Sequence, residues 1–138
     1  MRHLLSSAIL FMIVLCFSAC GGGGGDTPQS ILTGTWVYTD PANQCKDTYN
    51  FNADGTWSGT SLDAVASGTY ILTENTGSGK HTLAVTVTAD NGQFDCAGDF
   101  GRPVPITTTI YIAFPSGTEM EWYENQSDAV PMLTLTKQ

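Results

Sequence analysis

The chain predicts an all-β fold: a small antiparallel up-and-down barrel of about eight strands, with a β-sandwich as the alternative. Three observations carry this. From Ile31 onward, short runs with an apolar residue at every second position recur every 10–14 residues. Clusters of Gly, Asn, Asp, Ser and Pro separate them. No window of helix length holds a convincing 3.6-residue period. Many threonines and a charged fraction of only 13% agree with strands. Sequential hairpins leave two sheet edges, and closure into a barrel removes both.

Leu32 to Tyr38 alternates, with Leu32, Trp36 and Tyr38 on one face. Asp47 to Phe51 forms the second strand, Tyr49 and Phe51 facing together. Asn52-Ala53-Asp54-Gly55 reads as a tight hairpin, because glycine accepts the positive φ of such turns. Trp57 lies on the returning strand. Leu62 to Ala66 (LDAVA) allows one helical turn at most, and Ser67 to Thr73 is the fourth strand. Lys80 to Ala89 is the clearest, with Leu83, Val85 and Val87 opposite Thr82, Ala84, Thr86 and Thr88. Ala97 to Pro105 holds two glycines and two prolines and reads as a longer loop. Ile106 to Phe114 follows, then Glu119 to Tyr123 with Met120 and Trp122 on one face, then Met132 to Lys137 with Leu133 and Leu135 inward.

Ahead of the strands the text is different. Met1-Arg2-His3 gives a short basic start, and Leu4 to Phe17 is a 14-residue, largely apolar run. That suits a secretory signal and falls short of the ~20 residues that span a bilayer. Phe17-Ser18-Ala19-Cys20 then resembles the lipobox of bacterial lipoproteins. The resemblance implies cleavage before Cys20, a diacylglycerol on its thiol, and acylation of the new amine, for example with palmitate. Phe17 stands where leucine is commoner. Several chains make a membrane attachment stable where one does not. Gly21, where some inner-membrane lipoproteins carry Asp, implies by the same resemblance an outer-membrane location in the bacterial cell envelope. The expected organisation is a signal peptide over 1–19, a lipidated Cys20 and Gly-rich linker over 20–30, and one domain over 31–138. As a coil, the ten linker residues 21–30 span about 17–19 Å.

The formal net charge is −8. An acidic surface argues against nucleic acid and against docking on anionic lipid, and suits a cationic partner or plain solubility. Of four cysteines, Cys16 leaves with the signal and Cys20 takes lipid. Cys45 and Cys96 remain as a matched pair for an oxidising compartment. A two-thiolate metal site needs further ligands, and only His81 survives processing. No metal and no cofactor is expected.

Gly34-Thr35-Trp36 resembles the G-x-W signature of lipocalins and their calycin relatives, whose Trp plugs one end of an eight-stranded barrel. Phe51-Asn52-Ala53-Asp54-Gly55-Thr56-Trp57 is similar to the second hairpin of small bacterial lipocalin-like lipoproteins, which often carry a cysteine just ahead, as Cys45 does. Together they cover 31–138. They imply a structural role for Gly34 and Trp36 at the barrel end. Classical lipocalins are longer and carry a helix after the barrel, and neither feature is found here. Leu32 to Trp36 and Ala53-Asp54-Gly55 also resemble the start of an avidin chain. Ser61 replaces the biotin-contacting Tyr of that family, so biotin binding is not expected.

The functional reading is a non-catalytic binding module for a small apolar ligand at the barrel mouth. Trp57, Tyr70 and Trp122 are its candidate ligand-binding residues. The alternative is an interaction or inhibitor protein acting on a cationic partner, since Ser67-Gly68-Thr69-Tyr70 is similar to the S-G-x-x-Y segment of periplasmic lysozyme inhibitors, with the Tyr one residue early. Sugar binding through exposed Trp or Tyr is a third. Enzyme activity ranks last: no nucleophile motif is present, and His81, beside a turn, reads as a surface residue. Glu119 and Glu121 share a face at ~7 Å, as a glycosidase pair would, but Met120 and Trp122 point the other way, so the glutamates read as solvated. Asp90, Asn91, Asp95 and Asp99 carry the oxygens a Ca²⁺ site uses, yet in a spacing that reads as a solvated turn. So many large rings predict a packed barrel, or a shallow apolar cup at its mouth, rather than a deep cavity.

Overall fold

The computed structural model describes residues 25–138. The signal segment, Cys20 and the first glycines of the linker lie outside the described residues. Alternation in the sequence produces eight strands: β1 (Gly34–Thr39), β2 (Lys46–Phe51), β3 (Thr56–Ser61), β4 (Ala64–Thr73), β5 (His81–Asp90), β6 (Ile106–Ser116), β7 (Glu119–Tyr123) and β8 (Leu133–Lys137). Each pairs antiparallel with the next, and β8 returns to β1, so the sheet is a closed up-and-down barrel and not a sandwich. The closing seam is short, Trp36 opposite Lys137 and Val37 opposite Thr136.

One end is plugged. Residues 28–30, expected as the end of the linker, instead begin a five-residue helix, α1 (Pro28–Leu32). Thr27 caps it, its hydroxyl accepting from the Ser30 amide at 3.2 Å, and Pro28 opens the first turn, where a missing N–H costs nothing. Leu32 is fully buried. The last carbonyls of so short a helix need donors. Trp36 Nε1 donates to the Leu32 carbonyl at 2.7 Å, and Lys137 Nζ donates to that of Ile31, also at 2.7 Å. Lys137 also stands 5.3 Å above the Trp36 ring. Gly34 makes room for it. A Cβ there would come 2.9 Å from Lys137 Cε, and the backbone holds φ at +126°.

The core fills this half of the barrel. Trp36, Phe51, Leu83, Ile112, Met120 and Leu135 are all essentially inaccessible. Phe114 packs 6.1 Å from Trp36. His81, expected at the surface, is half-buried with its ring 6.0 Å from Phe114, because it shares the inward face of β5 with Leu83.

Two local departures matter. Leu62 to Ala66 forms no helical turn. Leu62 and Asp63 make a two-residue hairpin between paired Ser61 and Ala64, with Leu62 at φ +53°, as the right-handed twist of flanking strands favours. The second is a bulge between β4 and β5. Ala66 pairs with Asp90 but Gly68 pairs with Val87, one residue out of step. Gly68 permits this close approach, since a Cβ there would lie 1.8 Å from the Thr86 carbonyl oxygen.

Outside the barrel, Tyr123 is buried under the loop that follows β7. Lys80 Nζ lies 3.8 Å over its ring and donates to the backbone carbonyls of Gln126, at 3.0 Å, and of Asp128. Tyr123 donates its phenolic proton to Glu121 at 2.6 Å. That hydrogen bond to a carboxylate, then burial, pushes the phenol up to about 12. Glu121 is therefore a structural acceptor, while Glu119 is exposed.

Candidate functional site

The unplugged end is bounded by the turn between β3 and β4 and by the loops 40–45, 91–105 and 124–132. Cys45 and Cys96 are joined in a disulfide, with Cα atoms 5.8 Å apart at a sequence separation of 51. It ties the 91–105 loop to the start of β2. The Cys96 amide donates to Ser61 Oγ at 2.8 Å, and the Ala64 amide to the Phe94 carbonyl at 3.1 Å. Asp95 shapes the loop tip, its Oδ1 accepting from the amides of Ala97 and Asp99, each at 2.9 Å.

Beneath these loops the barrel is not filled. An inner compartment of about 130 Å³ is walled by Phe51, Val85, Thr108, Ile110 and Trp122, together with Tyr49 and Trp57. Tyr49 and Trp57 also wall an outer compartment of about 210 Å³. The outer one opens past Gly59, Ala64 and Val87 to a rim bearing Asp90, Asp95 and Arg102. Gly59 leaves the space that the Trp57 ring takes, since a Cβ there would stand 2.9 Å from Trp57 Cζ3. Trp57 Nε1 is held by the Thr86 carbonyl at 3.2 Å. The Tyr49 and Trp122 rings pack with centroids 4.8 Å apart.

The electrostatics of the mouth are negative. Burial, then the Asp47 carboxylate, then that of Asp95 push the Tyr49 phenol well above its ordinary range. Asp47 lies on the inward face of β2, two residues before Tyr49. Its Oδ1 is shielded from solvent and has no hydrogen-bond partner among the described residues, as is true of Trp122 Nε1. Arg102 meets Asp99 at 3.8 Å on the exposed surface.

Of the residues singled out in the sequence, Trp57 and Trp122 line the compartments. Tyr70 does not. It sits at the plugged end, where its hydroxyl donates to the Asn52 carbonyl at 2.6 Å and accepts from Gln29 Nε2 at 2.7 Å, with its ring edge-on to Phe51 at 5.2 Å. Tyr70 is structural, as are Gly34 and Trp36. Asp90, Asn91, Asp95 and Asp99 do not converge: among the described residues, no three His, Cys, Asp or Glu side chains are gathered so as to hold a metal ion. Tyr49, Phe51 and Val85 were legible as inward residues but not as ligand contacts. Asp47 was recoverable from the same alternation. Asp90 was not, because the bulge turns it inward opposite Ala66.

No protein-family model and no curated protein matches the chain.

Proposed function

We propose that this chain is a lipid-anchored envelope protein, a bacterial lipocalin-like lipoprotein whose barrel is a non-catalytic binding module for a small, largely apolar ligand. The observation that carries the reading is the pair of aromatic-walled compartments at one end of a barrel plugged at the other. Eight-stranded barrels are just wide enough either to fill or to hold one small ligand, and here half is filled and half is not. The inner compartment is close in size to the ~150 Å³ cavities that take up benzene, so the buried part of the ligand is about one ring. Native mass spectrometry of protein purified from its host should show a bound small molecule lost on activation. Repeated observation of the unliganded mass alone, in gentle conditions, would count against a binding module.

The anchor rests on Leu4 to Cys20 and on the disulfide, which belongs in an oxidising compartment. Cys20→Ser should move the protein from the membrane fraction to the soluble fraction. Retention of that variant on membranes, with no lipid mass on the wild type, would overturn the lipobox reading.

A second reading, docking on a cationic protein, is favoured by one feature. Phe94 and Phe100 are 55% and 68% exposed, pack edge-to-face at 5.5 Å, and ride on the disulfide-pinned loop beside Asp95 and Asp99. Rigid exposed aromatics are the usual anchors of protein interfaces.

A further inference from the structure

We infer that the ligand of these compartments is a small organic cation: a protonated amine or quaternary ammonium on a ring-sized apolar body. The inference rests on the binding-module reading and adds the charge of what is bound. The inner compartment accounts for the apolar body. Its wall is aromatic and aliphatic and carries no charged side chain. The outer compartment must then receive the head group, and every full charge near it except Arg102 is negative.

Three carboxylates set that field. Asp90 and Asp95 stand on the rim of the outer compartment. The hydrogen bonds they accept from backbone amides, from Gly92 in one case and from Ala97 and Asp99 in the other, all fall on Oδ1. Asp47 precedes Tyr49 by two residues on the inward face of β2, its Oδ1 buried and without a donor among the described residues. A buried carboxylate oxygen left without a donor is costly, and native structures rarely leave one so. A cation in the outer compartment, whose wall includes the Tyr49 that feels the Asp47 charge, offsets part of that cost by Coulomb attraction.

The rings point to the same chemistry. Tyr49 and Trp57 wall both compartments and so bring aromatic surface to their junction, and aromatic faces attract cations. Arg102 cannot play this part from within, since it is itself largely exposed and faces Asp99. A carboxylate-bearing ligand such as a fatty acid meets Asp90 and Asp95 on the rim of the outer compartment, against the single, solvent-exposed Arg102. A neutral ligand uses the apolar wall but leaves Asp47 as it was.

A matched series separates these cases. Isothermal titration calorimetry of the full chain with 2-phenylethylamine, 2-phenylethanol and 3-phenylpropionate holds the ring constant and changes only the head. The amine is expected to bind roughly tenfold tighter than the alcohol, and the carboxylate more weakly than either. Asp47→Asn and Asp90→Asn, made separately, should each reduce the amine-to-alcohol ratio at least threefold while leaving alcohol binding within twofold. Two sites are used so that a folding defect in one variant does not decide the matter. If the alcohol or the carboxylate binds as tightly as the amine, the cation inference is overturned and the binding module stands. If none of the three binds, both fall.

Discussion

Trp36→Ala is expected to lower the melting temperature by roughly 10–20 °C, the largest effect of any single truncation in this barrel. The ring is completely buried and is the hub of the plugged end. Its removal forfeits the packing of an indole, which typically costs about 3–5 kcal/mol. It also strips the Leu32 carbonyl of its donor and Lys137 of the ring it covers. α1 has only five residues and cannot hold itself together, so the plug loosens with the ring. Glu119→Ala, at an exposed position on β7, should move the melting temperature by less than about 2 °C. Circular dichroism melts of the two variants beside wild type make the comparison. A Trp36→Ala protein that melts with wild type would mean that the ring faces a site rather than the core.

The strands were legible because a barrel wall has one wet and one dry face, and that difference is written at every second residue. Trp36, Tyr49, Phe51, Trp57 and Trp122 could be assigned inward on this ground alone. Alternation fixes the face a residue takes but not its depth along the barrel. Depth depends on the stagger between strands, which no single strand contains. Tyr70 therefore reads as a mouth residue, although it lies one residue past the Thr56–Thr69 pair that starts β3, its amide bonded to Gly55 of the hairpin at the plugged end. α1 was missed for another reason: five residues cannot display a helical period, and only Thr27-Pro28 hinted at a start. The position of Asp90 depends on a bulge made possible by Gly68, on a neighbouring strand some twenty residues earlier. The inner compartment was invisible in the sequence, since the number of large rings argued for filling. Gly59, Ala66 and Gly68 are inward positions without large side chains, and they explain why filling stops halfway up the barrel.

The second large effect concerns the mouth. Cys45→Ser with Cys96→Ser is expected to lower stability by roughly 4 kcal/mol, the chain-entropy value for a closed loop of this length. The link spans β2 to β5, so it restricts the unfolded chain through four of the eight strands and its loss is felt by the whole barrel. The urea midpoint, followed by tryptophan fluorescence, should fall by about 2 M. A local effect accompanies the global one. Loop 91–105 is held otherwise by a few hydrogen bonds, from Cys96 to Ser61 and from Ala64 to Phe94, and at its start between Asn91 and residues Asp63 and Val65. Limited proteolysis of the double variant under native conditions should therefore cut first within 91–105, where wild type resists. Freeing that loop displaces Asp95 and Arg102 from the rim of the outer compartment, so ligand affinity should fall before the barrel unfolds. Equal urea midpoints for the oxidised and serine forms would show that the bond adds nothing to the barrel. Equal affinity in the two forms would remove the 91–105 loop from the site and leave Asp47 and Asp90 as its only acidic groups.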